Sequence, residues 1–495
     1  MNVSRMVRIW VCLMVCGHSA EISAFSPPDT SQTLCYSDTG MIICPSSVLQ
    51  PFFGQDSNYT INPKLFTKLD ANGNVLSEGS TSWVMVKDNV TGLIWEAKTN
   101  DGTLYDKDNT YGWENAQTDY IAQLNINKLG GFSDWRLPTV QELAAIVNRN
   151  CTDPAINTGY FLNTLSDDYW SSTLDESSDS NAWVVDFKLG NNSRYSKSLK
   201  KYVRAVRKPL SPSFRRFVVN NDGTVTDNAT GLMWHQTTST GRVWEAALAY
   251  CENDTHAGFD DWRLPNIHEL QSLLDYQKSP AIDQTVFLDT LPSFYWSSTT
   301  YHENALQAWI VDFKNGLISH SITKSVSYYI RPVRAGQKQI PDHFLIYTPS
   351  QGQRLETGTE YEIKWNSRNI GGNVAIHLSR DGGKNYEQIV ASTVNDGNHA
   401  WIVTGPSSYN CMLKIEPAIG EPSSRSTTQG LFRIMEKGDV NGDLTIDLTD
   451  AILCNQVLIG NYPNDIYFDA DVNGDDKIGM AEAIFILETV ANLSL

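Results

Sequence analysis

Two patterns of apolar and polar positions recur along the chain. Residues 182–187 alternate, with Trp183, Val185 and Phe187 opposite Val184 and Asp186, which predicts a half-buried strand. Residues 113–125 and 244–253 carry helical spacing instead. Residues 138–148 and 265–276 also predict helices, each begun by a proline (Pro138, Pro265) at the first turn. Glu142 and Glu269 fall in that turn, where a carboxylate meets the positive end of the helix dipole. The segments 202–207 and 329–334, each Tyr-x-Arg-x-x-Arg, predict a strand with its arginines near an edge or loop. Two helices with several short antiparallel strands make an α+β unit.

That unit occurs twice. Asp134-Trp135-Arg136-Leu137-Pro138, Tyr169-Trp170-Ser171-Ser172-Thr173 and Ala182-Trp183-Val184-Val185-Asp186-Phe187 return as Asp261-Trp262-Arg263-Leu264-Pro265, Tyr295-Trp296-Ser297-Ser298-Thr299 and Ala308-Trp309-Ile310-Val311-Asp312-Phe313. Offsets of 262−135 = 127, 296−170 = 126 and 309−183 = 126 hold register too closely for chance. Each copy opens on Asp-Asn-x-Thr-Gly-Leu-x-Trp, at 88–95 and 227–234, where the offset is 234−95 = 139. Copy one therefore carries about a dozen extra residues around 100–109, a surface insertion.

At 495 residues the chain exceeds a single core. The boundaries expected are a signal peptide at 1–24, an irregular Pro-, Ser-, Asn- and Gly-rich segment at 25–80 packed against the first copy, copies at 81–210 and 211–336, a β-sandwich at 340–436 and an acidic tail at 437–495. The sandwich is read from alternation at 361–365 and 374–378, with Gly371-Gly372, Asp381-Gly382-Gly383 and Asp396-Gly397 as turns.

The tail has explicit chemistry. Asp439, Asn441, Asp443, Thr445, Asp447 and Asp450 stand at positions 1, 3, 5, 7, 9 and 12 of a calcium loop. Asp471, Asn473, Asp475, Lys477 and Glu482 stand at 1, 3, 5, 7 and 12 of a second, with Gly479 at 9. Hard oxygen donors at alternate residues suit Ca²⁺, two ions in all. Ile446 and Ile478 pair the loops, and helices follow at 451–459 and 483–490. The usual glycine at position 6 is replaced by Leu444 and Asp476, and Leu in a left-handed turn is the more strained.

Arg5 and Arg8 before the apolar run 9–16, with small residues after it, mark an export signal. No later run is long enough to span a bilayer, so a secreted or surface-attached protein is expected. The formal net charge of −18 argues against general nucleic-acid binding. Oxidising conditions permit disulfides, and the turn at 37–40 predicts a Cys35–Cys44 staple. For Cys151, Cys251, Cys411 and Cys454, bonding and buried free thiols stay open.

Both copies resemble the family of the Lcl adhesin C-terminal domain, over 83–208 and 217–334. The resemblance implies exported bacterial surface proteins, and its named member binds sulfated polysaccharides. The Arg-Leu-Pro-Thr-x-x-Glu-Leu piece is also similar to the helix start of formylglycine-generating-enzyme-like domains, which implies a C-type-lectin-like fold. That enzyme's paired cysteines and the Glu-Pro-Asn or Gln-Pro-Asp triplet of calcium-dependent lectins have no counterpart here. The sandwich resembles modules of the Ser/Thr-rich membrane-anchored cell-wall family, and Ser379-x-Asp381-Gly382-Gly383-x-x-Tyr386 resembles one structural Asp-box hairpin. The tail resembles a type I dockerin, which implies a cohesin-bearing partner.

For the repeated tryptophans, aromatic binding platforms compete with a core role, and fixed register in both copies favours the core. Arg136 and Arg263 are read as internal salt-bridge partners. The asymmetric cations Lys197, Lys200, Lys201, Arg204, Arg207, Lys208, Arg215 and Arg216 are the candidate ligand surface for an acidic polymer, against a solvated edge strand. The expectation is a secreted, non-catalytic protein that binds glycan or matrix polymer and docks through Ca²⁺ to a cohesin-type partner. The rivals are a polysaccharide-degrading enzyme, whose carboxylates need no local motif, and a structural scaffold.

Overall fold

The computed structural model describes residues 27–207, 216–334, 337–338, 343–368, 370–419, 426–428, 430–461, 466, 470–473 and 477–493. The export signal expected at 1–24 lies outside them. The chain is β-rich, with several sheets and few, short helices.

The two copies repeat one register. Val86 faces Trp95 and Trp95 faces Val206 in copy one, while Val225 faces Trp234 and Trp234 faces Val333 in copy two. The edge strand beside this ladder is Phe217–Val219 in copy two and Phe66–Leu69 in copy one. The latter lies inside the segment assigned to 25–80, which therefore completes copy one's sheet. The Asp-Asn-x-Thr-Gly motif is the hairpin turn of this ladder. Asp88 and Asp227 accept backbone amides of Val90 and Ala229, and Gly92 and Gly231 take φ of 69° and 66°.

The strand predicted at 182–187 runs Asn181–Asp186, but it is not half-buried: both faces are covered. Trp183 and Val185 join one core cluster while Ala182 and Val184 join another. Copy two repeats this division, with Trp309 and Val311 on one side and Ala308 and Ile310 on the other. The helices also begin later than the prolines suggested. They span Val140–Ala145 and Ile267–Ser272, with Thr139 and Asn266 as N-caps. Each cap accepts the N3 amide, and the N3 glutamate accepts the cap's own amide, so Pro138 and Pro265 stand before the cap.

The copies share one hydrophobic cluster running from Phe66 to Val333. Their contact is reciprocal. Arg149 lies over the Trp309 ring at 4.1 Å, and its counterpart Tyr276 (276−149 = 127) meets Trp183 edge-on at 4.8 Å. An internal duplication has thus kept the self-complementary geometry of a two-fold dimer.

The N-terminal segment packs on copy one, as expected, through Thr30, Lys64 and Phe66–Leu69, and it also packs on copy two, which its sequence position did not suggest. Gln32 pairs with both backbone groups of Thr300, His268 bonds the Pro28 carbonyl, Lys324 donates to the Ser37 carbonyl, and the Tyr59 hydroxyl donates to Glu252. These apolar-poor contacts have no periodicity to announce them. Cys35 and Cys44 form the expected disulfide, while Cys151, Cys251, Cys411 and Cys454 are free.

Beyond copy two, sheets of three and six strands enclose a core of Phe344, Ile363, Trp365, Ile376, Leu413 and Phe432, the predicted sandwich. It seats on copy two: the Leu431 amide donates to the Gly231 carbonyl at 2.7 Å. A Cβ on Gly231 would lie 2.2 Å from the Leu431 carbonyl oxygen, so this turn requires glycine. The Asp-box is a hairpin built from Ser379 and Asp381, and its Gly382 carbonyl accepts Arg334 at 2.7 Å. In the tail, helices Leu448–Leu458 and Met480–Leu493 pack together over Ala451, Cys454, Ile478 and Ile486.

Candidate functional site

The repeated motifs prove to be one cross-linked scaffold. The Trp135 and Trp262 indoles donate to the carbonyls of Leu129 and His256, and those of Trp170 and Trp296 to Tyr111 and Arg242. Ser171 and Ser297 bond the carbonyls of Trp183 and Trp309. Arg136 and Arg263 form two-pronged pairs with Glu142 and Glu269 at 2.6–2.8 Å. Asp134 and Asp261 hold Arg207 and Arg334 the same way, tying the first motif to the last. All six tryptophans are buried, so they are core and not a platform for ligand.

The cation cluster does not assemble into one free patch. Arg204 is fully buried, donating to the Glu96 carbonyl and to Thr164, as its counterpart Arg331 does to His235 and Gln236. Both arginines stand in loop residues beside the sheet-end strands Val206–Arg207 and Val333–Arg334, as expected, but they are buried there and not at the surface. Lys201 pairs with Asp168 at 2.5 Å, Arg207 with Asp134, and Arg216 with Asp227. Lys197 donates to the Asp179 carbonyl and covers the Trp113 ring. Lys200 is exposed, and Lys208 and Arg215 lie outside the described residues.

Sequence reasoning missed a cluster of charged groups at the junction of the N-terminal segment with both copies. Asp56 is buried, and its Oδ2 accepts the hydroxyls of Thr30 at 2.7 Å and Thr299 at 2.6 Å. Burial first, then the charge of Asp29, pushes its carboxyl up to about 7. Burial likewise raises Asp29 to about 6 and lowers Lys64 to about 7. Beside them opens a cavity of about 330 Å³ lined by Asp29, Ser31, Lys64, Phe66, Asn148 and Asn157, among others. Apart from Thr299, none of these residues belongs to the duplicated motifs, so no repeat marked them.

In the tail's first loop, Leu444 adopts φ 75°, the left-handed turn expected at position 6. Asp439 accepts the amides of Asp443 and Leu444, and Asp450 those of Val440, Asn441 and Asp447. Asn441 Nδ2 donates to Asp443, Thr445 donates its hydroxyl to Asp443, and Asp447 caps the helix by accepting Thr449. Burial, then Asp450 and Asp443, lifts Asp439 to about 7. In the second loop Asp471 accepts the Asn473 amide, and Glu482 accepts those of Val472 and Gly479, repeating Asp450's part. Lys477 is exposed, while Asp475 and Asp476 lie outside the described residues. Among the described residues, no three His, Cys, Asp or Glu side chains converge to hold a metal ion in this arrangement. Ile446 and Ile478 both pack in the tail's core, as their position-8 pairing predicts.

Residues 84–207 and 223–334 each match the family model described as Lcl C-terminal domain. No curated protein matches the chain. Among the described residues, no helix is long and apolar enough to cross a membrane.

Proposed function

We propose that this is an exported, non-catalytic surface protein whose fused Lcl-type pair binds a glycan or matrix polymer and whose tail docks, with Ca²⁺, to a cohesin-type partner. The observation carrying the first part is the double match to a domain type found on surface adhesins. The reciprocal core accords with it by packing the two copies into one unit. A C-type-lectin-like ancestry for each copy belongs to the same reading. It accords with the short helices and small sheets but rests on the Arg-Leu-Pro resemblance.

The tail's donor set fits Ca²⁺ chemically. Asp439, Asn441, Asp443 and Asp450 supply hard oxygens, Thr445 its carbonyl, and Asp447 a water-bridged place. A buried Asp439 raised by two neighbouring carboxylates is the electrostatic state that a divalent cation relieves. Asp471, Asn473, Asp475, Lys477 and Glu482 would hold the second ion. The docking face is supported by symmetry. Leu448 and Met480 stand at position 10 of the two loops and Ile452 and Ile484 at position 14, and all four are exposed apolar side chains.

Two measurements test this reading. The full chain is passed over immobilised neutral, acidic and sulfated polysaccharides, and a cohesin array is probed with and without EDTA. Retention on at least one polymer and EDTA-sensitive cohesin capture are expected. Failure on every polymer refutes the first part, and capture that survives chelation refutes the second.

A further inference from the structure

The junction cavity takes no part in the scaffold or the tail, and its lining is that of a small polar ligand site. Its volume of about 330 Å³ sits at the lower end of the ~300–1,000 Å³ typical of such sites. Its polar groups keep bonding capacity in reserve. The Asn148 and Asn157 carboxamide oxygens accept the amides of Asn150 and Gly159, which leaves their NH₂ groups to donate elsewhere. Lys64 Nζ donates to the Val147 carbonyl and has two further hydrogens. Asp29 accepts the Ser31 amide at 2.6 Å and has lone pairs to spare. No ion pair within 4.0 Å joins Asp29 to Lys64, although each feels the other's charge. Pro63, Phe66 and Ile146 supply an apolar wall, and Ser31 is held at φ 71°, a conformation retained at functional rims more often than elsewhere.

We propose that this cavity binds one hexose-sized unit of a neutral glycan, with adjacent hydroxyls bridging the Asp29 carboxylate and the Lys64 amine and others taken by the Asn148 and Asn157 amides. The inference rests on the glycan-binding reading and gives it a place and a chemistry. One carboxylate beside one amine suits a polyol and disfavours sulfate, which Asp29 repels. A C–H face of the ring packs on the exposed Pro63 and the accessible edge of Phe66. Because the N-terminal segment is not duplicated, the site occurs once per chain despite the repeated domains.

Calorimetry on the full chain with cellotetraose, xylotetraose, mannotetraose and a heparin tetrasaccharide tests this. One neutral probe is expected to bind with one site per chain, changing less than about twofold between 50 and 500 mM NaCl. Thr33→Trp puts a bulky indole at an exposed lining position, at the cost of the Thr33 hydroxyl alone, and should weaken binding at least about tenfold by displacing the ring outright. Asn157→Ala, also at an exposed position, should weaken it about two- to tenfold. Unchanged melting temperatures confirm that both variants fold. Neutral binding that neither variant alters, two sites per chain, or binding confined to the heparin fragment overturns the proposal while the broader reading stands. If the chain also fails on every immobilised polymer, both fall together.

Discussion

Replacing Asp56 by Asn tests the electrostatics of the junction in the most direct way. Asp56 is sequestered between the N-terminal segment and copy two, where two threonine hydroxyls donate to one of its oxygens. An asparagine carbonyl accepts the same two bonds without a charge. The folded carboxyl titrates at about 7 against 3.8 when free. Below pH 3.8 both states are protonated, and the group's favourable contribution is fully present. Between 3.8 and about 7 the unfolded chain ionises first, so stability falls as pH rises. Above about 7 both states are ionised and the loss is complete. At ~1.4 kcal/mol per tenfold, the full loss is on the order of 4 kcal/mol, the smaller part of which is already incurred at pH 5. Asp56→Asn should therefore stabilise the chain more at pH 8 than at pH 5, by about 2–3 kcal/mol. Urea unfolding followed by tryptophan fluorescence at the two pH values measures this difference. A variant equally stabilised or destabilised at both would show that Asp56 is ionised throughout, and the argument from burial would be wrong.

Other expectations follow from single contacts. Glu269→Ala removes the two-pronged carboxylate partner of the Arg263 guanidinium, 2% exposed, and should cost about 3–5 kcal/mol, whereas Glu142→Ala should cost less because the Arg136 side chain is 23% exposed; paired urea melts distinguish them. Cys35→Ser with Cys44→Ser opens a loop with a sequence separation of 9. It should lower stability by ~2.5 kcal/mol, and reductant should bring the parent to the same value. Leu444→Gly removes a left-handed leucine and should strengthen Ca²⁺ binding by about 1–2 kcal/mol at one of two sites, read by calorimetry. Chelation of the parent should reduce the circular dichroism of the two tail helices, a readout independent of any partner.

What could be read from sequence was whatever the duplication repeated. Two copies at fixed offsets separate the demands of the fold from accident, so the buried tryptophans and the salt-bridge role of Arg136 and Arg263 were legible, though not that Glu142 and Glu269 are their partners. The capping box Thr139-x-x-Glu142 was not read, because the proline ahead of it suggested an earlier helix start. Periodicity failed at Ala182–Phe187 because a strand covered on both faces by two cores hides its polar side. The terminal arginines misled for a related reason. Charge suggests surface, yet Arg204 and Arg331 find backbone carbonyls inside. The cavity had no signal at all. Its residues are polar, unrepeated and far apart in the chain, and only tertiary packing brings Asp29 to Lys64 and Asn148.

The N-terminal segment's choice of partner also dictates an order of assembly. Gln32 must wait for Thr300, 268 residues later, and Asn62 for Gln351, 289 residues later. Copy one can collapse as soon as its own strands emerge, but its leading residues stay unsatisfied until copy two and the start of the sandwich have followed. Contacts of such separation form slowly, because the intervening chain must be closed into a loop first. The junction is thus a late part of the body to close, and nothing built upon it exists until the chain has been made through the start of the sandwich.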